Sequence, residues 1–280
     1  MDDTLTGEHE EIDDGAEELL ALIASGGVED PGAPPKIDSP IGGTVDLHYG
    51  VEIDGTRYRR CTVRELNGTD QEKMDRISLD EEGWAIRLLD LVINRAVLQI
   101  GPHNVADHPG ILGKMLTGDR DLLWAEVLFA TFGEVQEFDE IECPHCKAKN
   151  FFEVNVRDML KISGLIREDA TFEVTTRKGD VLTGRYPVGD DYLAALAVKE
   201  INNIAVLDTF IMAKVLRTVN GAPIADPDRF ARELGIVDRR TVVTALRDAP
   251  AVTFEEVKVS CSGCAEIIPF IIGWADLLRL

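Results

Sequence analysis

Four of the five cysteines fall in two CxxC pairs, Cys143-Pro-His-Cys146 and Cys261-Ser-Gly-Cys264. A CxxC at the tip of a hairpin points two thiolates at one spot, which is half of a tetrahedral zinc site. The first pair lies between strand-like runs, Val135–Glu142 and Phe151–Val156, and the second is flanked in the same way. Two such tips facing one another would complete a structural site holding one zinc ion on Cys143, Cys146, Cys261 and Cys264. The 114 residues from 147 to 260 separate the pairs. Closing a loop of that length rather than one of 15 residues costs only about 2 kcal/mol more. Structural zinc supplies on the order of 10 kcal/mol, so one shared site is within reach.

Other chemistries compete for these cysteines. A redox CxxC usually opens a helix in a thioredoxin-like setting, whereas these lie between strands. A site made of Cys143, His145 and Cys146 alone needs His145 to turn inward, yet its place within the turn points it outward. The fifth cysteine, Cys61 in Tyr58-Arg-Arg-Cys-Thr-Val63, reads as a small core residue. An odd, sparse set of cysteines argues against a secreted disulfide scaffold and for a reducing compartment.

The remaining candidates are weaker. His103 and His108 lie in the polar loop Gly101–Gly110, with only Asp107 at hand as a carboxylate partner. Asp119-Arg120-Asp121 opens a helix, where acids suit the dipole, and reads as a cap with an ion pair. No GxxxxGK[ST], HExxH, GxSxG or GxGxxG pattern occurs. The expectation is a protein that is not an enzyme.

The 280 residues include 45% hydrophobic types, enough for a sizeable core, and the formal net charge is −22. An acidic surface of that size repels phosphate backbones and anionic membranes. No run of about 18 apolar residues exists, and the start, Met1-Asp2-Asp3, lacks the basic-then-apolar signature of a signal peptide. A soluble chain that is not exported by the usual route is expected. Residues 1–35 hold eleven acids and no Lys or Arg, with a short amphipathic helix conceivable over Glu10–Ala24. Nine of the nineteen residues 25–43 are Gly or Pro, so 1–43 reads as an acidic flexible tail and linker.

The rest reads as an internal duplication. A shift of 118 places Cys143 on Cys261, Cys146 on Cys264, Asp158-Met-Leu160 on Asp276-Leu-Leu278, and Leu89–Ile93 on Leu207–Ile211. A shift of 121 places Val51-Glu-Ile53 on Phe172-Glu-Val174 and Gly68 on Gly189. The first repeat, 44–164, begins with a hairpin over 44–63 turning at Asp54-Gly55. A capping box at Thr69–Glu72 opens a short helix. Helices over 80–99, stopping at Gly101-Pro102, and over Asp119–Thr131 precede the CPHC knuckle. The second repeat, 165–280, has strands over 171–186 turning at Lys178-Gly179. Helices over 190–199, 203–217 and 227–247 then lead to the CSGC knuckle. The class is α+β, two copies of hairpin, helices and zinc-ribbon hairpin.

At this point the residues resemble a family, the T-even-phage-type baseplate proteins, including the hub assembly chaperones of contractile tails. The likeness runs through Cys61-Thr-Val-Arg-Glu-Leu66, Leu116-Thr-Gly-Asp-Arg-Asp-Leu-Leu123, Thr131-Phe-Gly133 and Phe138–Cys146. It continues through Gly184-Arg-Tyr-Pro-Val-Gly-Asp-Asp191 and the second CxxC, covering roughly 44–280. The second pair departs from the usual Cys-Pro-x-Cys and loses its stiff proline. The resemblance implies a non-catalytic baseplate or assembly component of a phage-like injection machine, with other tail subunits as partners and no membrane. It implies cytoplasmic assembly and leaves retention in the particle open. The alternative is a zinc-ribbon regulator that binds nucleic acid, which would need a basic face beside the knuckles. Instead, acids such as Glu140, Glu142, Glu255 and Glu256 answer Lys147, Lys149 and Lys258.

Overall fold

Asp54 and Gly55 both take positive φ, 51° and 77°, the backbone that a two-residue hairpin turn requires. They join β1 (Gly42–Ile53) to β2 (Thr56–Arg64), with Ile53 opposite Thr56. The computed structural model describes residues 42–163, 170–249 and 251–272, all within the unit Ile41–Leu280. The helix expected over Glu10–Ala24 lies outside the described residues. The linker was expected to run to 43, but Gly42 and Gly43 already pair with Arg64 and Val63. A Cβ on Gly42 would overlap the Val63 carbonyl, so this glycine serves strand packing.

Helix α1 (Gly68–Met74) is capped by Asn67, whose side chain accepts from the N–H groups of Thr69 and Asp70, while Asp70 accepts from the Asn67 N–H. The capping box thus begins two residues ahead of its expected place at Thr69. Helix α2 (Trp84–Ala96) buries Leu88, Val92, Ile93 and Ala96, one stripe of its surface. It ends earlier than the expected 99, because Val97–Ile100 leave it as β3. With β4 (His103–Asn104) this completes a sheet of order β1-β2-β3-β4. Helix α3 (Thr117–Phe132), stopped at Gly133, packs on the sheet. The core between them includes Val45, Cys61, Val63, Val92, Ile93, Leu123 and Val127. Cys61 is fully buried, and burial, with the Asp119 charge, pushes its thiol up to about 12.

A knuckle ribbon follows, β5 (Val135–Glu142) and β6 (Lys149–Asn155), then the turn α4 (Val156–Met159) and β7 (Leu160–Ser163). A second sheet is built from β8 (Thr171–Thr175), β9 (Val181–Arg185), β10 (Leu216–Val219) and β11 (Ala222–Pro223), in the order β11-β10-β9-β8. Helices α5 (Gly189–Ala195) and α6 (Ile204–Val215) lie between β9 and β10. The single helix expected over 227–247 is two, α7 (Pro227–Glu233) and α8 (Ile236–Arg247), broken at Leu234-Gly235. This half buries its own cluster, including Phe172, Leu182, Met212, Leu216 and Val242. Strand β12 (Ala251–Phe254) leads into the second ribbon, β13 (Glu256–Ser260) and β14 (Ile267–Ile271). No helix among the described residues is long and apolar enough to cross a membrane.

Several local arrangements occur twice. Arg64 donates to Asp70 at 2.6 Å, and Arg185 donates to Asp191 at 2.6 Å across the same six-residue spacing. Asp119, in the first turn of α3, accepts from the backbone N–H groups of His48, Tyr49 and Gly50 in the irregular part of β1. Asp238, in the first turn of α8, accepts from the Arg177 N–H in the β8–β9 turn. The Arg120 guanidinium donates to the Leu112 carbonyl, and Arg239 donates to that of Ala231, each eight residues back.

Candidate metal centre

Each knuckle is shaped by its own backbone. The Cys143 N–H donates to the Ala148 carbonyl and the Lys147 N–H to the Cys143 carbonyl. At the second knuckle the Cys261 N–H donates to Glu266 and the Ala265 N–H to Cys261. Lys147 and Ala265 take the left-handed conformation, φ 63° and 61°, turning each chain so that both its thiols face one way. The two knuckles therefore share one local geometry at an offset of 118 residues.

Two features bring the tips together. β7 leaves the first ribbon and β12 enters the second, and these strands pair antiparallel, Leu160 opposite Phe254 and Ala251 opposite Ser163. Phe270 of the second ribbon packs against Phe138 and Phe152 of the first, with ring centroids 5.3 and 6.4 Å apart. Gly263 lies against the first knuckle, where a Cβ would come 3.1 Å from that of Ala148 and 3.3 Å from the Cys146 sulfur.

The sulfurs of Cys143, Cys146, Cys261 and Cys264 all lie within 4.8 Å of one another. Cys143 Sγ is 3.7 Å from Cys264 Sγ, and Cys146 Sγ is 3.6 Å from Cys261 Sγ. A regular tetrahedron with metal–sulfur bonds of about 2.3 Å has edges of about 3.8 Å, so four thiolates so placed can chelate one ion. Cys143 and Cys261 form the buried floor, and Cys146 and Cys264 the exposed rim. Burial favours the Cys261 thiol, yet the N–H groups of Cys264 and Gly263 and the thiols of Cys146 and Cys143 hold it down to about 6. Cys264 is pushed up to about 12: the Glu266 N–H favours its thiolate, but burial and the neighbouring thiols outweigh it.

All four expected ligands are thus brought together, and His145 is exposed, outside the cluster. His103 stacks edge-on against Tyr58 and His108 at 4.9 and 5.1 Å, and no metal-binding cluster among the described residues includes either histidine. Asp119 and Arg120 are buried structural groups, Arg120 bonded to Asp90 at 2.8 Å.

One residue of the centre has no signature in the sequence. Asn150, 4% exposed, donates to the carbonyls of Ile141 and Ala148 and accepts from Ser262. Its position seven residues after Cys143 is the only signal, and nothing local marks it as a bridge to a segment more than a hundred residues away. Comparison with protein-family models, curated proteins and solved structures finds no match to the chain.

Proposed function

We propose that the four cysteines hold one structural zinc ion and that the chain is a non-catalytic component that acts by docking onto other protein subunits. The observation that carries this reading is the all-cysteine cluster. Four thiolates fill a tetrahedral zinc and leave no open position for water or substrate. The setting we propose, the baseplate of a phage-like contractile tail or injection system, rests on the motifs of residues 44–280 alone. The recurring Arg–Asp, Asp–backbone and Arg–carbonyl arrangements support reading 44–164 and 165–280 as two copies of one unit. The nucleic-acid-binding regulator is disfavoured by the knuckle lysines. Lys147, Lys149 and Lys258 each lie in an ion pair, with Glu142, Glu140 and Glu256, which leaves little free positive charge for a phosphate backbone.

Deletion of the gene tests the setting. Sheath and tube proteins should be made at normal levels while assembled particles disappear or lack a baseplate. Functional particles in the deletion strain would overturn the proposal.

A further inference from the structure

The two halves meet along a seam with a definite polarity. Met115–Thr117, which leads into α3, pairs with Pro187–Gly189, which leads into α5. The Gly189 N–H donates to the Met115 carbonyl at 3.0 Å, and the Thr117 N–H to that of Pro187 at 3.2 Å. Leu116 and Val188 form an antiparallel bridge. Gly189 rests on the Arg120 guanidinium with no space for a Cβ, and Gly113 likewise makes room for the Asp190 carboxylate. An edge of the second half is thus seated in a groove of the first.

The counterparts of both surfaces are open. The Arg64–Asp70 and Arg185–Asp191 pairs align Leu66–Gly68 with Pro187–Gly189. The Arg120–Leu112 and Arg239–Ala231 bonds align Leu234–Ile236 with Met115–Thr117. Among the described residues, the N–H groups of Gly68 and Ile236 and the carbonyls of Leu66 and Leu234 have no hydrogen-bond partner. A Cβ on Gly68 would meet nothing within 4 Å. Ile236 and Ile204, which flank the second groove, are 72% and 68% exposed.

We propose that the Leu66–Gly68 edge of one chain seats in the Leu234–Ile236 groove of a second copy, repeating between chains the seam found within each. The inference rests on the reading of the two halves as related units. Arg232 and Arg240 are exposed at the groove, whereas Glu72 of α1 and Asp75 just past it are offset by Lys73 and exposed Arg76, so the internal seam rather than charge supports the fit. Arg232 and Arg240 stand where the inner seam has Gly113 and Asp121, so the outer groove is the more basic of the two. Because the two surfaces differ, the contact is head-to-tail and either closes into a ring or grows as a filament.

Sedimentation and native mass measurements on the full chain at about 100 μM test this. Wild type should form oligomers. Gly68→Arg and Ile236→Lys, both at exposed positions, should keep the wild-type melting temperature and weaken association at least about tenfold. Each variant keeps one intact surface, so an equimolar mixture should form a dimer and stop there. A monomeric wild type, or an associating wild type whose blocked variants fail to dimerise on mixing, overturns the interface. An experimental structure in which 42–163 and 170–272 fail to superpose would remove the related-halves reading instead. A monomer whose halves do superpose would remove only the interface.

Discussion

Asn150 Oδ1 accepts two hydrogen bonds from Ser262, from its backbone N–H at 2.8 Å and its hydroxyl at 2.9 Å, across 112 residues of sequence. A proline at 262, as in the usual Cys-Pro-x-Cys turn, has no N–H to give. The serine that looks like a weakened knuckle is therefore the donor that locks the two knuckles together. Ser262→Pro should leave the buried Asn150 oxygen unsatisfied and cost about 1–3 kcal/mol. Ser262→Ala keeps the backbone bond and should cost less. Urea denaturation of the metal-loaded protein checks the order, and equal losses for the two variants would contradict it.

Elemental analysis of the purified chain should find one zinc per molecule. Ligand thiols must be deprotonated to bind, so the ion should be released as pH falls. Cys143→Ser should lower thermal stability severely, because metal binding and folding are coupled. A melting curve unchanged by that substitution would remove the structural role, and two ions per chain would remove the shared site.

Asp70 is buried between Arg64 and Arg95, at 2.6 and 2.7 Å. Burial opposes its charge, yet these two guanidinium groups and the Asn67 N–H hold its carboxyl down to about 2. A carboxyl lowered on folding contributes stability that is complete above its unfolded value near 4 and lost as pH falls toward 2. Asp70→Asn should cost about 3 kcal/mol at pH 7, and the difference from wild type should shrink toward pH 2. A difference independent of pH would contradict the ion-pair account.

Asp121 should behave in the opposite sense. Burial pushes its carboxyl up to about 7, against the nearby Arg120 charge. Between its unfolded value near 4 and about 7 the folded chain binds a proton that the unfolded chain has released. Its contribution therefore grows more favourable as pH falls through that window. Asp121→Asn should raise the denaturation midpoint at pH 8 and leave it nearly unchanged at pH 4. A lowered midpoint at pH 8 would show that the carboxylate has a favourable partner.

What the sequence disclosed was local. Asp54-Gly55 set the first hairpin because few residue pairs accept positive φ twice, and the CxxC spacing marked the knuckles because it brings two thiols to one side of a hairpin tip. The helix expected over Asp119–Thr131 is α3, extended by two residues at its start and one at its end, where Gly133 stops it. Features fixed by distant partners were not legible. β7 and β12 are four residues each and are strands only because they pair with one another. β3 continues α2 without a breaker because β2 offers it an edge, and Asn150 resembles any turn asparagine until Ser262 arrives. The break at Leu234-Gly235 was missed because the apolar spacing carries on across it.

The separation of Cys146 from Cys261 by 115 positions also sets a schedule for synthesis. At about 5–20 residues per second, the ribosome needs on the order of ten seconds to pass from the first pair to the second. During that interval the nascent chain carries only two of the four clustered thiols, Cys143 and Cys146, and cannot assemble the four-thiol cluster. The four-thiol cluster is thus reserved for chains translated past Cys264, and a prematurely terminated product would keep an open two-thiol tip at its first knuckle.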